Sequence, residues 1–123
     1  MVNAKESKVV KLMKSTIALS PDIEALTLVS TDGLPIESVL PTDMEEDRVA
    51  AMGAALLSLG ERAAEELERG RLEQVVVRAE KGDVILTSVG EDALLLTLMS
   101  KEAKLGMIFM ALKRLVKELK KII

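Results

Sequence analysis

From residue 49 to residue 60 the chain reads VAAMGAALLSLG, twelve positions without a single charge. The flanking residues put this stretch inside one long helix, from about Asp43 to Arg69. Thr42-Asp43-Met44-Glu45 has the form of a capping box, Asp43, Glu45 and Glu46 suit the positive end of the helix, and Gly70 marks its stop. Along that helix Val49, Met52, Gly53, Leu56, Leu57, Leu59, Gly60, Ala63, Ala64 and Leu67 cover about half of the circumference. The other arc changes character along its length: Glu61, Arg62, Glu65, Glu66 and Arg69 fill its second half, but only Ala51, Ala54, Ala55 and Ser58 its first. A helix that is apolar all round is normally buried on more than one side. One side can rest on a sheet, and 123 residues leave little else to cover the other, so a partner polypeptide is expected there. Gly53 and Gly60 would let a neighbouring backbone come close, at a cost of roughly 1 kcal/mol each relative to alanine. Alanines that merely favour helix on a solvated face are the competing explanation, and the all-round pattern weighs against it.

The remaining chain reads as one continuous domain, 1–123, without linker, repeat or low-complexity tract. Asn3, with Glu6 three residues on, is placed to cap a first helix whose apolar stripe is Val9, Val10, Met13 and Ile17. Lys8, Lys11 and Lys14 lie off that stripe, and Ser20-Pro21-Asp22 ends it. Ile23 to Ser30 and Pro35 to Leu40 form a hairpin around Asp32-Gly33, with Pro35 suited to an edge strand. After the long helix come strands Leu72 to Glu80, Val84 to Val89 and Ala93 to Met99, separated by turns at Lys81-Gly82-Asp83 and Gly90-Glu91-Asp92. The last two are continuous apolar runs, as in a sheet covered on both faces. Ser100 is placed to cap a final helix with Leu105, Ile108, Phe109, Leu112, Leu115, Val116 and Leu119 on one side. The expected fold is α+β, ordered α-β-β-α-β-β-β-α, with a five-stranded, mainly antiparallel sheet. The valine-rich strand after the long helix reads as an edge, and an unpaired edge of that kind invites pairing with a second copy. Arg78 and Glu80 are the residues that would otherwise guard it.

Composition removes whole classes of chemistry. Cysteine and histidine are absent, so thiol chemistry, Cys/His zinc sites, histidine bases and disulfides are not expected. Phe109 is the single aromatic residue, and the net charge is −3, so neither stacking on single strands nor a general attraction to nucleic acid is expected. No apolar run is long enough for a bilayer span, and the polar start resembles no signal peptide, so a cytoplasmic location is expected. Only Asn3 and Gln74 carry side-chain amides, a bias typical of heat-stable proteins.

The topology, the hairpin Val29-Ser30-Thr31-Asp32-Gly33-Leu34-Pro35-Ile36 and the small-residue second helix together resemble the roadblock / dynein light chain family. So do the closing stretches Gly90-Glu91-Asp92-Ala93-Leu94-Leu95 and Ser100-Lys101-Glu102-Ala103-Lys104-Leu105-Gly106. The likeness covers about residues 5 to 120. It implies a profilin-like layered fold, with the second helix on one face of the sheet and the terminal helices on the other. It also implies homodimers or heterodimers joined through the second helix and third strand, here Val49, Met52, Gly53, Leu56, Gly60, Ala63, Gln74, Val76 and Arg78. Members serve as dynein light chains, as scaffolds for small GTPases, and in bacteria as dimeric activators of a Ras-like GTPase. The GTPase docks on the paired second helices, which here would present Ala51, Ala54, Ala55, Ser58 and Arg62. The resemblance thus implies a non-enzymatic homodimer without cofactor or metal, with a Ras-like small GTPase as partner. A structural adaptor with no GTPase partner is the alternative, and a small-molecule sensor with an apolar pocket between sheet and helix is a third.

Other chemistry is weakly signalled. No phosphate-binding loop or nucleophile elbow is present. Glu45, Glu46 and Asp47 are better explained as dipole partners than as metal ligands. Arg48, Arg62 and Arg69 read as solvated helix arginines rather than arginine fingers. Met52, Met99, Met107 and Met110 read as core fillers. Lys113, Arg114, Lys117, Lys120 and Lys121, opposed by Glu118, make the last helix basic. A basic amphipathic helix can lie on anionic lipid, but the apolar stripe of this one is needed for the core.

Overall fold

The computed structural model describes residues 7–123. Eight elements follow in order: α1 (Lys8–Leu19), β1 (Ile23–Ser30), β2 (Pro35–Val39), α2 (Glu46–Glu66), β3 (Gln74–Ala79), β4 (Gly82–Val89), β5 (Ala93–Met99) and α3 (Leu105–Ile122). The strands form one antiparallel sheet in the order β2-β1-β5-β4-β3. β2 and β3 are the edges, so Pro35 begins an edge strand, where its missing N–H leaves no gap in the ladder.

Because side chains alternate across a strand, the sheet feeds two cores. Leu26, Leu28, Ile85, Leu95 and Met99 point to the side covered by α1 and α3, where Val9, Met13, Ile108, Leu112, Leu115 and Leu119 meet them. Val29, Leu86, Leu94 and Leu96 point to the other side, where Ala50 and Leu57 of α2 cover them. The molecule is thus three layers with α2 alone on its face.

Four local expectations are corrected. The α1 cap expected at Asn3 lies outside the described residues; Ser7 is the N-cap, its hydroxyl accepting from the Val10 N–H at 3.1 Å. The capping box at Thr42-Asp43-Met44-Glu45 does not form. Pro41 and Met44 instead close a turn (Met44 N–H to Pro41 carbonyl, 3.1 Å), and α2 begins at Glu46 with no side-chain cap. Ser100 does not cap α3 either. Its hydroxyl donates to Asp22 Oδ1 (3.0 Å) and its N–H to the Asp22 carbonyl (2.9 Å), tying the end of β5 to the start of β1, while α3 starts at Leu105 behind Lys104.

The end of α2 is the fourth. Gly70 does not stop the helix; Glu68 does, in the left-handed conformation with φ 56°. The Glu68 N–H donates to the Glu65 carbonyl (3.1 Å) and the Arg69 N–H to the Ala64 carbonyl (2.7 Å), the double closure of a Schellman motif. Glycine is the residue that holds this position without steric cost. Glu68→Gly is therefore expected to raise stability by about 0.5–1 kcal/mol, read from the denaturant midpoint at unchanged slope.

Candidate interaction surface

α2 lies with Ala50, Gly53 and Leu57 buried on the sheet and Val49, Ala54 and Leu56 half-buried beside them. The fit is close where the glycines sit. A Cβ on Gly53 would stand 3.1 Å from Leu96 Cδ1 and 3.4 Å from Leu94 Cδ1, and one on Gly60 would stand 2.7 Å from Val75 Cγ2. Both glycines therefore bring α2 down onto its own sheet, rather than admitting a second chain as the sequence suggested. The intimacy of these contacts also leaves no room at Gly53 for the apolar pocket that a small-molecule sensor would need.

The neighbours fix which way each flank of α2 faces. The β1–β2 turn passes over one flank, where a Cβ on Gly33 would be 3.6 Å from Ala54 Cβ and 3.7 Å from Ala51 Cα. The opposite flank, reached through Leu56 and Gly60, looks toward β3. There Met52 is 58% and Leu59 63% exposed, with Ala63 exposed one turn further on. At this 3–4 residue spacing Met52, Leu56, Leu59 and Ala63 form a single apolar stripe. A methionine expected as core filler at position 52 is in fact on the surface.

β3 continues that stripe. Val75 and Val77 pair with Leu86 and Val84 and share the α2 side of the sheet. Gln74, Val76 and Arg78 pair with Thr87, Ile85 and Asp83 and face the α1/α3 side. Of the β3 residues assigned to a partner from sequence, all three side chains thus project away from α2, and the two that project toward it, Val75 and Val77, were missed. Strand alternation settles the parity only once the Val75–Leu86 register is known, and that register is not visible in the chain itself. Arg78 is also engaged within its own protomer. Its Nε lies 2.8 Å from Oδ2 of the buried Asp83, whose Oδ1 accepts from the Ala79 N–H at 3.3 Å and lies 3.7 Å from Lys101 Nζ.

The outward arc of α2 carries the exposed Ala51, Ala55, Ser58 and Arg62, while Ala54 is half-covered by the hairpin turn. Arg62 pairs with Glu66 at 3.3 Å, both side chains well exposed, and such a pair is worth at most about 1 kcal/mol. Arg69 Nε donates to the Leu67 carbonyl at 3.0 Å. Glu46 and Asp47 lie in the first turn of α2, where a carboxylate meets the positive helix end. Among the described residues no helix is long and apolar enough to cross a membrane.

This geometry coincides with a match of residues 9–99 to the model of the Roadblock/LC7 domain. The chain belongs to the Roadblock/LC7 family. The domain is 34% identical to protein MJ1340 of Methanocaldococcus jannaschii over 98 residues, 80% of this chain and 85% of that protein. Among solved structures it is similar to the Roadblock/LC7 domain from Streptomyces avermitilis, at 26% identity and a TM-score of 0.85 over 91% of this chain and 94% of that one. It is also similar to an MglB solved in a tetrameric arrangement, at 21% identity and a TM-score of 0.86 over 99% and 92% of the two chains. The last likeness is one of fold.

Proposed function

We propose that this roadblock domain is a non-catalytic homodimer that regulates or scaffolds a Ras-like small GTPase. The observation that carries the reading is the continuity of two uncovered features on one side of the molecule: the Met52–Leu56–Leu59–Ala63 stripe and the open edge of β3 with Val75 and Val77 above it. Two-fold pairing there places α2 against α2 and β3 against β3, covers the apolar stripe and removes a free strand edge in the same step. The tetrameric arrangement of the similar MglB supports self-association on this fold.

In such a dimer the outward residues Ala51, Ala55 and Ser58 of two helices form one flat platform of small side chains bordered by Arg62, suited to docking a globular partner closely. The family resemblance supports a Ras-like GTPase as the occupant. A regulator that acts by docking works by preferring one switch-loop conformation, which demands a difference in affinity between nucleotide states. Binding of each small GTPase of the source organism, loaded with GDP or a GTP analogue, tests this. At least a tenfold preference for one state is expected for a regulator. Equal affinities contradict regulation and leave a scaffold, and no binding to any of them leaves a structural adaptor.

A further inference from the structure

The α1/α3 side of the sheet has a charge character opposite to that of the whole chain. Lys8, Lys11 and Lys14 stand on α1 with no carboxylate among its residues, and α3 carries five cations against the single carboxylate Glu118, which pairs with Lys121 at 3.2 Å. On α2, across the sheet, Glu46, Asp47, Glu61, Glu65 and Glu66 outnumber Arg48 and Arg62. A net charge of −3 thus hides a separation of charge between the helices, basic on α1 and α3 and acidic on α2 across the sheet.

The same basic face exposes apolar side chains that the core does not use. The buried stripe of α3 is Ile108, Leu112, Leu115, Val116 and Leu119. Met107 and Met110 lie on the opposite side of that helix, 67% and 66% exposed, and at 3–4 residue spacing they run on into Arg114, Lys117 and Lys121. Leu19, 83% exposed, ends α1 and lines with Leu12, Ala111 and Arg114 a shallow groove of about 200 Å³ between the two helices. α3 is therefore amphipathic twice: one apolar stripe serves the core, and a second, shorter one faces out among cations. The objection that its apolar residues are all needed inside does not hold for this second set.

From these observations we propose that the α1/α3 face is a peripheral docking surface for anionic lipid bilayers. Lysine and arginine heads would meet the headgroups while Met107, Met110 and Leu19 enter the interfacial layer. Charge complementarity selects the anionic surface, and exposed, flexible apolar side chains among the cations favour a bilayer over a fully polar polyanion such as nucleic acid. A molecule seated this way turns α2 away from the lipid, and the proposal holds whether or not α2 serves a GTPase.

Flotation of the intact protein with vesicles at physiological ionic strength tests it, using phosphatidylcholine alone and phosphatidylcholine mixed with phosphatidylglycerol. Partition is expected with the anionic vesicles only. Each cation contributes about a fivefold gain, so Lys113→Glu/Arg114→Glu/Lys117→Glu is expected to weaken partition at least about a hundredfold. Met107→Ser/Met110→Ser, which leaves every charge in place, is expected to weaken it several-fold, with circular dichroism confirming that both variants stay folded. Failure to bind anionic vesicles overturns the proposal. So does undiminished partition of the methionine variant together with equally tight binding to duplex DNA, which would make the face a general polyanion surface.

Discussion

Gly82→Ala is expected to cost about 3–5 kcal/mol, enough to unfold much of a domain of ordinary stability. Gly82 opens β4 at φ 147°, and a Cβ there would collide with the Met99 carbonyl oxygen of the neighbouring strand. That oxygen belongs to backbone, so no side-chain rotation relieves the contact; the β4–β5 ladder at Asp83 and Met99 has to open instead. The buried Asp83, paired with the exposed Arg78 and Lys101, sits on the same corner and loses its frame as the ladder moves. Gly90→Ala supplies the comparison. Gly90 also has positive φ, at 71°, but nothing lies within 4 Å of a Cβ added there. Backbone strain alone then applies, about 1–2 kcal/mol. Urea denaturation of the two variants separates collision from strain, and equal losses would show that the β4 corner is not as tight as described.

Leu59→Glu is expected to leave the fold intact and to weaken self-association at least about a hundredfold, since it replaces apolar burial by a carboxylate that must be desolvated. In a two-fold pair each substitution is present twice, which is why one exposed position carries so large an effect. Met110→Glu is the matched control: its side chain is as exposed as that of Leu59, but it lies across the sheet on α3. Sedimentation equilibrium is expected to give monomers for Leu59→Glu and the wild-type association for Met110→Glu. Dissociation by both, or by neither, would remove the α2–β3 surface as the site of pairing.

How far the chain announces this arrangement depends on the range of the interactions concerned. β1 and β5 are legible to the residue, because a proline or an Asp-Gly turn brackets one and two polar turns bracket the other. The small apolar stretch 49–60 signals an unusual helix, and the family resemblance puts that helix on one face of the sheet and the terminal helices on the other. Helix ends are less legible. The capping pattern before α2 is present in the residues, yet the Pro41 turn takes the chain another way, and Glu68 occupies a left-handed position that glycine was expected to fill at residue 70. The interaction surface is least legible, for a physical reason. Whether Gly53 faces a partner or its own sheet, and whether Val75 or Val76 shares a face with Leu59, depends on helix rotation and strand register, which non-local packing decides. The methionines show the same limit: Met99 is buried as a core filler should be, while Met52, Met107 and Met110 are exposed.

Static light scattering on the unmodified protein, followed through a dilution series across the micromolar range, addresses the central point without any substitution. A mass twice that of the 13.3 kDa chain, holding until dilution drives dissociation, is the result expected if Met52, Leu59 and the β3 edge are covered by a second copy. A mass of one chain throughout the series would contradict it, leaving that stripe open to water and the platform on α2 without its second half.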